Sequence, residues 1–165
     1  MSTWVRAVTF TVLGTPAPKG SSRAMIKKGK GGKPMAVNVP SGSNANRDAQ
    51  RSWRADLILA ASQAIGDVTV PPFVGVAIRM KVEFRLKRPA GHYSKATGLL
   101  LPSAPEWPIV KPDKDKLMRA TKDALKGLVF DDDSRVCESF ERKVYADPGK
   151  EGAWIRIETL PGRKP

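Results

Sequence analysis

The sequence has almost no cysteine or histidine: Cys137 and His92 are the only residues of their types. One cysteine cannot form a disulfide within the chain, and these two residues together cannot build a Cys/His cluster for structural zinc. Catalysis by Cys137 would need a neighbouring base, and the sequence offers no partner for that role.

Long apolar runs are missing as well. No stretch approaches the roughly 18 apolar residues that a membrane span needs, and the N-terminus lacks the unbroken apolar segment of a signal peptide. We therefore expect a cytoplasmic protein that does not associate with membranes. With 165 residues and 41% hydrophobic content, the chain suits one globular domain over residues 1–165.

Acidic residues are scarce relative to basic ones. The chain has 29 Lys and Arg against 16 Asp and Glu, a formal charge of +13 and a sequence pI of about 10.2. This excess favours a polyanionic partner, with nucleic acid ahead of an acidic membrane. A membrane-surface protein would need a basic amphipathic helix with bulky apolar anchors, and the sequence contains none.

The motifs of several large enzyme classes are absent, namely the P-loop, G-x-S-x-G, H-E-x-x-H and the dinucleotide-binding glycine fingerprint. Asp113 and Asp115 open like an EF-hand calcium loop. That loop needs Gly at its sixth position and Glu at its twelfth, where this chain has Met118 and Ala124. An EF-hand is therefore excluded.

Hydrophobic periodicity predicts an α+β domain. The clearest pattern runs from Val74 to Lys87, where apolar residues alternate with mostly charged ones, as in a strand with one core face and one basic face. Small polar residues before the first helix and Gly66 after it are typical of helix ends. The predicted elements are strands at 4–12, 74–87, 135–145 and 153–160, and helices at 43–65 and 113–127.

Two long loops interrupt this pattern, a basic flexible loop at about 14–42 and an aperiodic loop at about 89–112 whose length favours a functional or mobile segment. The basic loop either contacts DNA or is a disordered solubilising segment. The basic strand face either contacts DNA, is solvated, or is covered by a helix or a partner subunit. The candidate DNA contacts are Lys19, Arg23, Lys27, Lys28, Lys30 and Lys33 of the loop, and Arg79, Lys81, Arg85 and Lys87 of the strand.

The scarce acids concentrate in one segment, since residues 111–136 hold six of the sixteen, including an unbroken triplet at 131–133. Each element has an ordinary explanation. Asp113 and Asp115 suit a helix start, Asp115 and Arg119 can form a surface pair worth about 0.3–0.5 kcal/mol, and the triplet can be a solvated turn.

The same acids also suit a metal site. A helix start and a strand start can converge at a sheet edge, and three or more carboxylates within a few ångströms would be strongly unstable without a cation. Hard oxygen ligands favour Mg²⁺ or Mn²⁺. An acidic metal site on a basic surface is typical of phosphodiester cleavage, because the metal activates water while basic residues hold phosphates.

Three motifs in this segment, K-P-D-x-D-x-L, D-A-L-x-G and D-D-S-x-V, resemble those of the RusA family of Holliday-junction resolvases, which is common in phages and prophages. The resemblance extends to both sides. G-T-P-A-P-K-G at 14–20 is similar to the family's opening after its first strand, and Lys143, Pro148 and Gly149 are similar to its closing strands.

The resemblance implies a small mixed β-sheet packed by two main helices, in a homodimer. It implies an endonuclease that depends on Mg²⁺, for which Mn²⁺ can substitute. Such an enzyme binds four-way DNA junctions and nicks two strands symmetrically in recombination and repair. Asp113 and Asp115 match the family's paired catalytic aspartates, and Asp133 matches the third. Asp132 matches the adjacent acid, a further ligand or a support, while Asp131 lies outside the pattern. The implied metal ligands are Asp113, Asp115, Asp132 and Asp133.

Two positions depart from the family pattern. The family often has Asn directly after the second aspartate and a catalytic Lys three residues later, whereas this chain has Lys116 and Arg119. Arg119 keeps the positive charge and can grip a phosphate, but it cannot donate a proton as Lys does. We expect Lys116 to place its ammonium near the metal ligands. The expected catalytic residues are Asp113, Asp115, Asp133, Arg119 and Lys116.

Two other functions stay open. One is a nuclease of the same chemistry that acts on flaps, forks or packaging intermediates. The other is a DNA-binding or recombination accessory protein that keeps the fold but does not cleave.

Overall fold

Alternating apolar side chains form the strands of this chain, and apolar residues at helical spacing form its helices. The computed structural model describes residues 6–20, 22–40, 43–67 and 69–161. The predicted α+β class, with a mixed sheet packed by two main helices, is confirmed. The elements in chain order are β1 (Ala7–Leu13), β2 (Ser22–Lys28), β3 (Pro34–Pro40), α1 (Asn44–Ile65), β4 (Ile78–Leu86), α2 (Lys114–Leu125), β5 (Val136–Tyr145) and β6 (Gly152–Thr159).

The main sheet has the strand order β1-β6-β4-β5. β6 is antiparallel to β1 and β4, and β5 is parallel to β4. The inward face carries alternate residues such as Phe10, Phe84 and Ile155, which are buried. At Gly152 a Cβ atom would lie 1.8 Å from the Val12 carbonyl oxygen, so the approach of β6 to β1 requires glycine. The predicted start of the first strand, Trp4, lies outside the described residues.

Helix α1 begins and ends where predicted. The Ser43 hydroxyl oxygen accepts a hydrogen bond from the Asn46 backbone N–H at 3.3 Å, and Gly66, with φ of 71°, follows the last turn. The helix packs against β1 and α2. No helix in the described ranges combines the length and apolar character needed to cross a membrane. The fully buried residues of α1 are Trp53, Leu57 and Ala61.

Helix α2 packs against α1 and β5, and its buried stripe follows the predicted spacing. Its neutral polar member, Thr121, is completely buried and donates its hydroxyl to the Leu117 carbonyl at 3.0 Å. This bond satisfies the only polar atom of the stripe. The buried residues of α2 are Leu117, Met118, Thr121, Ala124 and Leu125.

Strand β4 is shorter than predicted. It begins at Ile78 because Gly75 adopts φ of 66°, a left-handed conformation that interrupts an extended strand. Val74 and Val76 therefore lie before the strand and are exposed. From Ile78 onward the predicted alternation holds without a break, with every second residue buried.

The prediction that residues 14–42 form a loop without regular structure is wrong in part. β2 and β3 form an antiparallel hairpin within this segment, joined through a turn in which Gly31 and Gly32 have positive φ. The pattern was not evident because the hairpin belongs to neither the sheet nor the core. Ile26 is 78% exposed and Met35 is 56% exposed. Because neither face of the hairpin is buried in the core, its sequence does not need to alternate apolar and polar residues.

The loop at 89–112 contains one 3-10 turn, Ala90–His92, and is anchored around Tyr145 of β5. The Arg88 guanidinium lies 4.1 Å from the Tyr145 ring centre, and the His92 ring packs edge-on at 5.5 Å. Lys143 holds the end of the loop by donating to the Val110 and Pro112 carbonyls at 2.9 and 3.0 Å. These contacts fix the backbone that leads into α2.

Candidate active site

The site begins at the N-terminus of α2. Asp113 occupies the predicted N-cap position, but its side chain makes no capping hydrogen bond and instead pairs with Lys116 at 3.2 Å. Asp115 lies in the first helical turn and is exposed. A carboxylate there is favoured by the positive end of the helix dipole. Arg119 follows one turn later on the same exposed face.

The aspartate triplet forms the turn that enters β5. The Asp132 carboxylate caps a short 3-10 turn by accepting a hydrogen bond from the Ser134 backbone N–H at 2.9 Å. Asp131 is held by Arg135, whose Nη2 and Nε atoms donate to the carboxylate at 2.9 and 3.1 Å. The Arg135 guanidinium also holds the pKa of Asp131 below its ordinary value. Asp131 is thus committed to a structural contact.

Lys126, the residue that follows α2, lies between the other two acids of the triplet. Its Nζ atom is 2.6 Å from Asp132 Oδ2 and 2.8 Å from Asp133 Oδ1. The ammonium lowers the pKa of both carboxylates, and the carboxylates, Asp132 first, raise the pKa of Lys126. All three groups are therefore ionised at neutral pH.

The acids of segment 111–136 are mostly neutralised by cations of the protein itself. Asp115 is the exception, since it forms no ion pair with any residue that the structure describes. The mutual repulsion that suggested a bound cation is thus relieved largely by side chains. The pairs are Asp113 with Lys116, Asp123 with Lys19, Asp131 with Arg135, and Asp132 and Asp133 with Lys126.

A cleft of about 320 Å³ between α2 and β5 brings together three of the five expected catalytic residues, Asp115, Asp133 and Arg119. Asp113 and Lys116 do not line this cleft. They line a neighbouring groove of about 470 Å³ beside residues 15–20 and the first two turns of α1. The remaining lining residues of the cleft are Met118, Lys122, Asp123, Ser139 and Glu141.

The expected convergence of four aspartates is not found. In the described ranges, no group of three or more Asp, Glu, His or Cys side chains is placed to hold one metal ion. Two contacts explain the difference: the Lys126 ammonium bridges Asp132 and Asp133, and Asp113 belongs to the neighbouring groove.

The chemistry of the cleft nevertheless suits a hard divalent cation. Asp115, Asp133 and Glu141 contribute oxygen ligands to its wall. Asp133 Oδ1 is buried, and the Lys126 ammonium lies 2.8 Å from it. A buried carboxylate oxygen requires a hydrogen-bond donor or a cation as its partner.

Glu141 was missed by the sequence reasoning. It lies on β5 opposite Val82 of β4, whose side chain is buried, so its side chain leaves the strand on the inward side. It accepts a hydrogen bond from the Ser139 hydroxyl at 3.1 Å and lies 3.6 Å from Lys114. The sequence did carry one signal for it: in the predicted strand that follows the aspartate triplet, alternate side chains point to the same face, which decides the face on which Glu141 lies.

The cations of the basic loop lie on the hairpin and beside the cleft. Lys19 pairs with Asp123, which lines the cleft, and its backbone N–H donates to the Lys116 carbonyl at 3.1 Å. The hairpin follows this segment directly in the chain. Arg23, Lys27 and Lys28 lie on β2, and Lys30 and Lys33 lie in the turn to β3.

The basic face of β4 carries more paired charge than the sequence indicated. Arg79 pairs with Glu138 at 2.5 Å and with Glu158 at 3.3 Å, and Lys81 is 3.3 Å from Glu158. Arg85 pairs with Glu83 of its own strand at 2.9 Å. The two acids from β5 and β6 could not be assigned to this face before the strand order was known. Lys87 lies just beyond the strand and is exposed.

Comparison with known proteins gives a matching family and a relative. Residues 16–158 match the family model described as Endodeoxyribonuclease RusA. The uncharacterized protein YqaN of Bacillus subtilis (strain 168) is 29% identical over 154 residues, which cover 90% of this chain and 95% of that protein. The matched range includes every residue that lines the cleft.

Proposed function

This chain belongs to the RusA family of endodeoxyribonucleases, and we propose that it resolves four-way DNA junctions by paired, metal-dependent nicks. The observation that carries the proposal is the cleft between α2 and β5. It combines Asp115, which has no ion-pair partner in the described ranges, with Asp133 and the cation Arg119.

The proposed metal is Mg²⁺, with Mn²⁺ as a substitute, because the donors are carboxylate oxygens. Asp115 and Asp133 are the proposed principal ligands. Asp132, next to Asp133 in sequence, and Asp113, two residues before Asp115, are further candidates. Glu141 adds a carboxylate that lies outside the motifs of segment 111–136. When bound, the metal supplies an activated water and neutralises charge on the scissile phosphate.

The cations of the cleft have a separate proposed role. Arg119 and Lys122 line the same wall as Asp115, so a phosphate held there is contacted by positive groups on one side. Arg119 presents a planar fork of N–H donors that matches two phosphate oxygens. Lys116 pairs with Asp113 and is proposed to orient that carboxylate.

The DNA path is proposed to run from the cleft along the basic hairpin. Lys27, Lys28, Lys30 and Lys33 are exposed, and Lys19 connects this segment to the site through Asp123. Phosphate contacts of this kind position a nucleic acid without reading its sequence. The cations of β4 stay candidate DNA contacts. Their acidic partners reduce the net positive charge of that face.

We further propose a homodimer that acts in the cytoplasm of a bacterial or phage-infected cell. Two symmetric cuts across a four-way junction require two sites related by a twofold axis, which a cyclic dimer supplies.

The test uses labelled four-way, Y-shaped and linear duplex DNA, each incubated with the full chain in Mg²⁺ or in EDTA. Resolution predicts paired, ligatable nicks in four-way DNA with Mg²⁺ only, and their loss in Asp133→Asn. Cutting of Y-shaped DNA alone would identify a nuclease for other branched substrates. Binding to four-way DNA without any product in Mg²⁺ or Mn²⁺ would identify a non-cleaving accessory protein.

A further inference from the structure

The Lys126 ammonium contacts two of the proposed metal ligands at once. Its single ammonium lies 2.6 Å from Asp132 and 2.8 Å from Asp133. The other acids of the segment that have partners are each paired with a different Lys or Arg. Two adjacent aspartates that share one lysine would repel each other if that lysine were removed.

The backbone holds Lys126 in this position. Gly127 adopts φ of 79°, which favours glycine, and its N–H donates to the Phe130 carbonyl at 2.7 Å. The Val129 N–H donates to the Leu125 carbonyl at 2.8 Å, and Leu125, Val129 and Phe130 are fully buried. The Cα atom of Lys126 is therefore anchored to the core on both sides.

The ammonium itself is not enclosed by protein. The Lys126 side chain is 44% exposed, and four flexible bonds connect the ammonium to the fixed backbone. It can leave the carboxylates for solvent without any change in the fold. A fixed stem with a displaceable charge is what an internal counter-ion requires.

A divalent cation bound by Asp133 would compete with this ammonium, because both are positive and both require the same carboxylate oxygens. Asp133 Oδ1 is buried, and Lys126 is its close cationic neighbour among the described residues. Lys126 therefore lies where it opposes metal entry and stabilises the metal-free site at the same time.

We propose that Lys126 is a built-in counter-ion of the active site, which holds Asp132 and Asp133 together without metal and is displaced when a divalent cation binds. The inference rests on the proposed metal-dependent function. It assigns Lys126 as a positioning residue that sets metal affinity, so the nuclease switches on only where the divalent ion is concentrated enough to displace the lysine.

The test measures Mn²⁺ binding to the full chain without DNA by calorimetry, for wild type, Lys126→Gln and the charge-preserving control Lys126→Arg. Removing the ammonium is expected to tighten Mn²⁺ binding about 5-fold or more, the lower end of typical coupling between two bound groups. Lys126→Arg is expected to stay near wild type. Lys126→Met, which also lacks the charge, should repeat the Gln result.

Thermal melting of the same proteins gives a second readout. In EDTA, Lys126→Gln is expected to melt below wild type, because Asp132 and Asp133 lose their counter-ion. In saturating Mn²⁺ its rise in Tm is expected to exceed that of wild type, because a ligand that binds the folded state more tightly stabilises it more.

Failure of this inference differs from failure of the proposed function. If wild type binds Mn²⁺ and cuts four-way DNA while the two uncharged variants show unchanged or weaker Mn²⁺ affinity, the counter-ion role is overturned and the nuclease assignment stands. If neither wild type nor the variants bind Mn²⁺, metal dependence is overturned and the counter-ion role with it.

Discussion

Two regions of this molecule mix acids and bases, and they differ in how completely the charges are paired. On the outer face of the sheet, Glu158 lies among Arg79, Lys81 and Arg156, and Glu83 lies between Arg85 and Arg142. In the cleft, Asp115, Arg119 and Lys122 form no ion pair with other described residues although they share one wall.

The difference separates structural charge from charge available to a ligand. On the sheet, opposite charges on adjacent strands satisfy each other, and the burial of Glu158 requires it. In the cleft, groups of both signs that have no ion-pair partner in the described part of the chain face the same space, which a metal and a phosphate would satisfy. Substitutions in the cleft should therefore affect activity, and substitutions on the sheet should affect stability.

The largest expected effect is in the cleft. Asp115→Asn should reduce cleavage of four-way DNA by more than about 100-fold, beyond the 10- to 100-fold typical of a group that only supports a metal ligand. Its unfolding free energy should stay within about 0.5 kcal/mol of wild type because Asp115 is exposed. Cleavage rates and urea unfolding measure both, with Asp147→Asn in an exposed turn as the matched control. A near-normal cleavage rate would remove Asp115 from the site.

Glu141→Gln should have the next largest effect on activity. The carboxylate lines the cleft beside Asp115 and Asp133, so its neutralisation should lower the cleavage rate by about 10- to 100-fold, as for a residue that orients metal ligands. The control is Glu138→Gln, on the opposite face of the same strand and paired with Arg79. Equal rates of DNA cleavage for Glu141→Gln and Glu138→Gln would show that Glu141 has no role in the reaction beyond structure.

Lys143→Met tests the support of the cleft. The ammonium donates to the Val110 and Pro112 carbonyls, and its loss should lower the free energy of unfolding by about 0.5–1.5 kcal/mol, the net contribution of a hydrogen bond whose acceptor returns to water. Urea denaturation measures it, with exposed Lys150→Met as the control. No loss of stability would mean that the start of α2 is held by other contacts.

The smallest expected effect is a change in the pH dependence of stability. Arg156 first, then Lys81, hold the pKa of Glu158 below its ordinary value of 4.5, against the effect of burial. Because the folded pKa is the lower one, Glu158 stabilises the fold above pH 4.5 and this contribution is lost as the pH falls through the folded pKa.

Glu158→Gln should therefore be less stable than wild type at pH 7 and lose less stability on acidification, while junction cleavage at pH 7 is unchanged. Urea unfolding from pH 7 to pH 3 gives the comparison. Parallel stability curves for the two proteins would show that the outer-face pairs contribute nothing, and the contrast with the cleft would disappear.

The regular elements of the core were predictable because burial imposes a local period. α1, α2 and the core face of β4 all follow it. The β2–β3 hairpin was missed because side chains such as Ile26 are exposed, so no burial pattern marks it. Gly75 was part of an apparent strand, and only its positive φ reveals that the strand begins later.

The candidate site was predictable in its residue types and only partly in its arrangement. Asp115, Asp133 and Arg119 share the cleft as expected, whereas Asp113 lies in the neighbouring groove. Glu141 and Lys126 were not expected in the site. The position of Glu141 depends on the register of β5 with β4, and that of Lys126 depends on the turn after α2. Neither feature is marked by a short sequence motif.

By itself the sequence determined the excess of positive charge, the types and approximate positions of the core elements, and the motifs shared with RusA endodeoxyribonucleases. These are properties of composition and of neighbours along the chain. The tertiary structure decided which charges meet, because the partners are distant in sequence: Lys19 and Asp123 are 104 positions apart, and Arg79 and Glu158 are 79 apart. Folding alone decides that Asp115 has no counter-ion among the described residues while its neighbours are neutralised, since ion pairing depends on distance in space.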